Sequence, residues 1–192
     1  MKRIVVGVSG ASGMPLAVTL LNALACAAGV ETHLIVSGAA EKVLSLESGL
    51  SVQKLTELAD VCHDVDNIGA APASGSWRHS GMIICPCSMS TLGAVANGIG
   101  SNLIHRAADV TLKERKPLIL VPRETPLSRV HLRNMLAAQE AGATIMPPCP
   151  GFYSRPETIQ DILNHLAGRM LDHLEIEHEL CRRWDGMPSA DA

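Results

Sequence analysis

Aromatic side chains are almost missing from this chain: its 192 residues include two tryptophans, one tyrosine and one phenylalanine. A core built from it must therefore be aliphatic. The four rings, Trp77, Phe152, Tyr153 and Trp184, all fall in stretches that read as loop or tail, where each can plug a local gap or meet a ligand. An excess of positive charge is missing too. The formal net charge is −3, which offers nothing to draw nucleic acid or an anionic membrane. No apolar run reaches membrane-spanning length, and no signal-peptide pattern precedes the first strand, so neither a membrane nor a secreted setting is expected. Cys26, Cys62, Cys85, Cys87, Cys149 and Cys181 are scattered through a chain that is long for a disulfide scaffold, which points to a reducing cytoplasm. Repeats and linkers are absent as well. The expectation is one domain spanning 1–192, with 175–192 as a C-terminal tail.

What is present begins with Arg3-Ile-Val-Val-Gly-Val-Ser-Gly-Ala-Ser-Gly13. The β-branched run Ile4 to Val8 reads as a buried strand. Gly10, Ala11, Ser12 and Gly13 let the backbone turn sharply and approach a ligand, and Met14 to Ala28 favours a helix with Pro15 in its first turn. A strand, a glycine turn and a helix N-terminus place N–H groups around an anion. Ser9 and Ser12 add hydroxyls, so a phosphate is the expected guest, although the first βα turn of any α/β domain looks similar.

The chain then reads as a second strand, Glu31 to Ser37, a helix through Glu47, and a short helix from Leu55 to Asp60. This βαβα spacing predicts a parallel sheet with helices on both faces. A dinucleotide fold would carry an acid near the end of the second strand to hold a ribose; here the strand ends Val36-Ser37, which argues against NAD. Pro72-Ala-Ser-Gly-Ser-Trp-Arg78 is a small-residue loop able to close over a ligand. Met82 to Ser88 is another buried strand, and Ser88-Met-Ser-Thr91 opens a helix with Ser88 as its cap. Cys85 and Cys87 lack a second cysteine pair, so no metal is expected. Arg106 and Lys113 lie seven apart on a helix from Leu103 to Arg115, on one face. The strand Pro117 to Pro122 runs directly into Arg123-Glu124, at the edge where α/β proteins bind ligands. A helix from Ser128 to Ala141, a last strand Ala143 to Met146, a proline-stiffened loop 147–153 and a helix from Pro156 to Leu174 complete the pattern.

Taken together, Gly10-Ala-Ser-Gly, Pro72-Ala-Ser-Gly-Ser, Cys85-Pro-Cys-Ser, Arg106-Ala-Ala-Asp-Val, Leu112-Lys-Glu-Arg, Leu120-Val-Pro-Arg-Glu, Pro150-Gly-Phe-Tyr and Arg182-Arg-Trp make the chain resemble the flavin prenyltransferase family (UbiX-like), especially its members associated with aromatic-acid decarboxylases. The resemblance covers nearly the whole chain. It implies a flavodoxin-like, Rossmann-like α/β fold and transfer of the dimethylallyl group of dimethylallyl phosphate to N5 and C6 of reduced FMN. It also implies a prenylated FMN product destined for a UbiD-type decarboxylase, independence of metal, and a homododecamer with sites at subunit interfaces. By motif, it implies flavin contacts from Gly10, Ala11, Ser12, Ser37, Ser88, Met89, Ser90, Thr91 and Arg123. It implies a prenyl-phosphate site of Tyr153, Arg169, Arg106 and Lys113. A reaction centre of Glu124, Ser74, Glu47 and Trp184 follows in the same way. Within that scheme fixed cations stabilise the departing phosphate, Trp77, Trp184 or the flavin offers a ring face to the allyl cation, and either Glu124 or a phosphate oxygen takes the last proton. A non-catalytic FMN-binding subunit of an aromatic-acid decarboxylase is the alternative. A cysteine decarboxylase of similar fold is disfavoured, since Met14 to Ala28 holds no histidine.

Titration with both cofactors is expected to show FMN binding and no NAD binding; tight NAD binding without FMN would overturn this reading of Gly10 to Gly13 and Ser37.

Overall fold

The computed structural model describes residues 1–184 and 186. Six parallel strands form one sheet: β1 (Lys2–Val8), β2 (Val30–Val36), β3 (Val61–His63), β4 (Gly81–Cys87), β5 (Leu118–Pro122) and β6 (Thr144–Ile145). Their order is β3-β2-β1-β4-β5-β6. This is the doubly wound order, which reverses between β1 and β4. Without the three-residue edge strand β3 it reduces to the flavodoxin-like order, so the expected fold class holds. Seven helices are described: α1 (Met14–Cys26), α2 (Gly38–Ser48), α3 (Val52–Thr56), α4 (Met89–Ala96), α5 (Leu103–Lys113), α6 (Arg129–Glu140) and α7 (Ile159–His173). No described helix is long and apolar enough to cross a membrane.

Alternation along the strands divides the core between the two faces of the sheet. Ile4, Val6, Val8, Ile83 and Cys85 pack with Leu20, Leu21 and Leu24 of α1 and Leu166, Met170 and Leu171 of α7. Val5, Ile35, Met82, Ile84 and Cys87 pack on the other side with Leu92 of α4, Ile104 of α5 and Ala138 of α6. The largest fully buried side chains are all leucine, isoleucine or methionine, as the scarcity of aromatics requires. Burial pushes the Cys85 thiol up to about 12 and raises that of Cys87 further, where the neighbouring Cys85 adds to the effect. Both behave as small hydrophobes.

Two expectations shift. The helix expected over Leu55 to Asp60 is α3, Val52–Thr56, capped by Ser51, whose hydroxyl accepts from Lys54 N–H. Beyond it the chain makes the unforeseen β3. Asp60 fixes that edge, because its carboxylate accepts the Thr32 N–H at 2.7 Å. The last helix starts at Ile159 rather than Pro156, since Thr158 and Asp161 form a reciprocal capping box.

Gly10 is where the first turn touches α2. A Cβ built there lies 2.5 Å from the Ala39 Cβ, so the β1 exit and the α2 start meet backbone against side chain. Gly10→Ala is expected to overpack this contact at about 1–3 kcal/mol, which calorimetry would record as a melting point several degrees lower.

Candidate active site

The carboxyl ends of four strands are fastened side by side. Ser37 N–H donates to the Val8 carbonyl at 3.0 Å, and Arg123 N–H to the Cys87 carbonyl at 3.3 Å. Between them Ser9 joins β1 to β4: its hydroxyl donates to the Pro86 carbonyl at 3.0 Å and accepts the Ser88 N–H at 2.8 Å. Pro86 has no N–H of its own to give, and the β4–β5 register shifts between Ile84 and Cys87. The expected ligand role of Ser9 is therefore corrected: the residue is 1% exposed and its hydroxyl is spent on the sheet.

This edge carries three helix starts. Gly13 precedes α1 with φ 116°. Ser37 caps α2, accepting the Ala40 N–H at 3.2 Å. Ser88 caps α4, accepting the Thr91 N–H at 3.2 Å and donating to the Thr91 hydroxyl at 3.1 Å. Met89 and Ser90 form the first turn of α4, with Ser90 exposed. The expected anion cradle at α1 differs in one respect: its anion is already supplied by the chain. Glu47 Oε2 accepts the N–H groups of Gly13 and Met14, each at 2.9 Å. Burial would raise the Glu47 carboxyl, but the Ser12 hydroxyl, the Met14 and Gly13 amides and the Arg123 charge outweigh it and hold the group below the usual carboxylate range. Glu124 stands beside Arg123 on the exposed exit of β5 and accepts the Thr125 N–H at 2.9 Å.

A second group forms on α5. Arg106 Nε donates to the Ala73 carbonyl at 3.3 Å and its Nη1 pairs with Asp109. Lys113 pairs with Glu114, and both reach the backbone of Gly75, where a Cβ would collide with them. Arg106 and Lys113 thus share the helix face that holds the 71–76 loop. That loop presents Ser74, whose hydroxyl sits 2.9 Å from the Ser76 hydroxyl. Trp77 does not offer its ring to a ligand. His33 meets it edge-on at 4.6 Å, His79 stacks at 5.7 Å and the Arg3 guanidinium lies over it at 5.5 Å. Its place among the candidates for an allyl contact is withdrawn for that reason.

The third group lies on α7. The Tyr153 hydroxyl is 3.1 Å from His165 Nε2, and its ring stands edge to face with Trp184 at 5.6 Å. Arg169, one turn along from His165, donates from Nη1 to Asp172 at 3.1 Å. Tyr153 is 61% and Trp184 60% exposed. Among the described residues no hydrogen bond, ion pair or ring contact joins any one of these three groups to another. Residues that sequence reasoning missed are Asp172, which binds Arg169, and the His33–His63 pair behind Trp77, 2.9 Å apart. The histidine pair has no motif because its members are 30 residues apart, and Asp172, three residues from Arg169, reads as an ordinary helix ion pair.

A switch-point edge that carries three helix starts and Arg123 suits a phosphate-bearing cofactor protein. Residues 1–171 match the family model Flavoprotein. Flavin prenyltransferase LpdB of Lactiplantibacillus plantarum is 50% identical over 186 residues, 97% of this chain and 100% of its own. Two solved structures superpose closely. A dodecameric FMN-dependent UbiX-like decarboxylase from Escherichia coli O157:H7 has a TM-score of 0.93 and 47% identity, covering 96% of this chain and 100% of its own. AnUbiX (PadA1), in complex with FMN and dimethylallyl pyrophosphate, has a TM-score of 0.95 and 45% identity, covering 97% and 99%. The chain belongs to the UbiX-like flavin prenyltransferases of the Flavoprotein family.

The Glu47 pairing has a sign in pH. A carboxyl held low in the folded state contributes stability above its unfolded value near 4.3 and loses it as pH falls through the folded value. Glu47→Gln is expected to cost less than about 1 kcal/mol of stability at pH 7, because the group is exposed, and so to lower the melting point slightly. The difference from the unsubstituted protein should shrink as pH falls below the unfolded value and close as it passes the folded one in a melting series. A difference that grows on acidification would contradict the pairing.

Proposed function

We infer that this chain transfers the dimethylallyl group of dimethylallyl phosphate to N5 and C6 of reduced FMN, releasing phosphate and yielding prenylated FMN for a UbiD-type decarboxylase. The observation that carries the reading is the cleft at the β1–β4 switch point, where the Ser37 and Ser88 caps, the Gly10 turn and Arg123 stand along one edge. The residues suit FMN. Hydroxyls and helix starts match a phosphate and a ribityl chain, and the close contact at Gly10 leaves no side chain in the way. Gly10, Ala11, Ser12, Ser37, Ser88, Met89, Ser90, Thr91 and Arg123 would hold it. Since Glu47 already occupies the α1 amides, the FMN phosphate would rest on the α2 and α4 side of the cleft and on Arg123. Six free thiols fit a cytoplasmic setting.

Reduced FMN, when bound, supplies the nucleophilic nitrogen and carbon. The protein's part is charge and position. Breaking the allylic carbon–oxygen bond leaves charge on the departing phosphate, and Arg169, Arg106 and Lys113 meet it with hydrogen bonds that strengthen as it ionises. The Tyr153 hydroxyl adds one neutral donor, and Trp184 a ring face for the allyl cation. Ser74 and Glu47 position polar groups, and Glu124 or the phosphate itself accepts the C6 proton. In one chain these residues fall into three separate groups. We therefore place the complete site between copies of the chain in a homo-oligomer, a dodecamer like that of the E. coli relative. The exposed Tyr153 and Trp184 rings fit a face that another copy covers.

Incubation with reduced FMN and dimethylallyl phosphate is expected to give a product heavier than FMN by one C5 unit, seen by mass spectrometry. FMN binding without product would support the non-catalytic subunit instead. Arg169→Ala should slow product formation roughly a hundredfold or more, the cost of deleting one preorganised donor, with FMN affinity unchanged; normal turnover would show that the phosphate lies elsewhere.

A further inference from the structure

Beyond α7 the chain turns back along the helix, and one carboxylate holds it there. Asp172 Oδ2 accepts from Arg169 Nη1 at 3.1 Å, while Oδ1 accepts from Arg183 Nη2 at 2.8 Å and pairs with His178 Nε2 at 3.2 Å. The His178 side chain is 5% exposed and that of Asp172 20%. Leu180 N–H donates to His178 Nδ1 at 3.2 Å. With Nδ1 accepting, Nε2 carries the proton and donates to Asp172. Burial would raise the Asp172 carboxyl, but the hydrogen bond and charge of Arg183, followed by those of His178, hold it below the usual range.

The helix is shaped for this segment. A Cβ at Gly168 would lie 2.7 Å from His178 Cε1 and 3.2 Å from Cys181 Sγ, so only glycine lets the returning chain sit against α7. Leu174 and Ile176 anchor its start, each 5% exposed. Its far end places Trp184 on Tyr153. Charge is left over at the clasp: two guanidiniums face one carboxylate, Asp172 engages a single Nη of each, and a guanidinium has five N–H donors. The surplus suits an anion beside Arg169.

We propose that Asp172 is a positioning residue for the prenyl-phosphate end of the site: it aims Arg169 and clasps residues 176–184 to α7, which delivers Trp184 to Tyr153. The role in turnover rests on the reading of Arg169 as a phosphate ligand; the clasp itself does not. On this proposal Asp172 acts through Arg169, His178 and Arg183, which occupy both its oxygens. Its loss should therefore appear in donor affinity and strap mobility, leaving FMN affinity alone.

The test uses the full chain with Asp172→Asn, Asp172→Glu and Gly168→Ala. It reads backbone hydrogen exchange over 176–184, FMN affinity, and the KM and kcat for dimethylallyl phosphate. Asp172→Asn is expected to speed exchange in 176–184 at least tenfold and to raise the donor KM at least tenfold, with FMN affinity unchanged as the sign of a retained fold. Asp172→Glu should recover part of both. Gly168→Ala displaces the strap while keeping Asp172 and Arg169, so it should give the faster exchange with a smaller rise in KM. Unaltered exchange in Asp172→Asn would overturn the clasp. A released strap with an unaltered donor KM would overturn the positioning role. Should the unsubstituted protein form no prenylated product, the prenyl-transfer reading fails, and exchange alone still decides whether Asp172 clasps the strap.

Discussion

A parallel sheet whose winding reverses between β1 and β4 leaves a crevice at its carboxyl edge, and one buried hydroxyl keeps that crevice in register. Ser9 gives its proton to the Pro86 carbonyl and takes the Ser88 N–H. It thereby links the β1 exit, which leads into α1, to the β4 exit, which leads into α4. A buried donor and acceptor that are both satisfied rigidify the segments they join. The positions of Gly13, Ser37 and Ser88, and of Arg123 on the neighbouring strand exit, all refer back to this stitch.

Electrostatics then divides the work. At the α1 start the positive end of the helix is met by Glu47, a carboxylate from α2, so the cleft is closed on that side by the chain's own anion. Cations are deployed elsewhere. Arg106 and Lys113 grip the Ser74 loop from α5, and Arg169 projects from α7 beside Asp172. Each is partnered by a carboxylate on its own helix or the adjoining turn, which restrains its direction without cancelling its usefulness to a doubly charged phosphate. On the proposed function, the lack of direct contact between these groups within one chain gives a physical reason for assembly: a site that must surround a leaving phosphate with several cations would draw them from more than one copy.

Much of this was legible in the sequence. Strand runs such as Met82 to Cys87 and caps such as Ser88 and Ser128 are local signals, and the structure places them as read. Ser74, Arg106 and Lys113, which the family motifs name from separate stretches, are brought together by the fold. What failed depended on partners far along the chain. Ser9 looked like a phosphate donor because nothing local shows that Pro86 and Ser88 claim its hydroxyl. Trp77 looked available because two of its partners, His33 and Arg3, come from other strands. β3 is three residues long and rests on Asp60 bonding to Thr32, too little periodicity to detect. Glu47 was named by resemblance, yet its bond to the Gly13 and Met14 amides spans 33 residues to the nearer of them, a pairing that no spacing rule reveals.

The central claim is that the flavin cleft and the prenyl-phosphate cations meet only between copies of the chain. Subunit mixing tests it most directly. Chains carrying Arg123→Ala and chains carrying Arg169→Ala, each inactive alone, are combined under conditions that exchange subunits, and prenylated FMN is measured. If one site takes Arg123 from one copy and Arg169 from another, mixed oligomers contain sites with both arginines intact, and product formation returns in proportion to them. If no activity returns at any ratio although mass measurement confirms mixed oligomers, the site lies within a single chain and the account is contradicted.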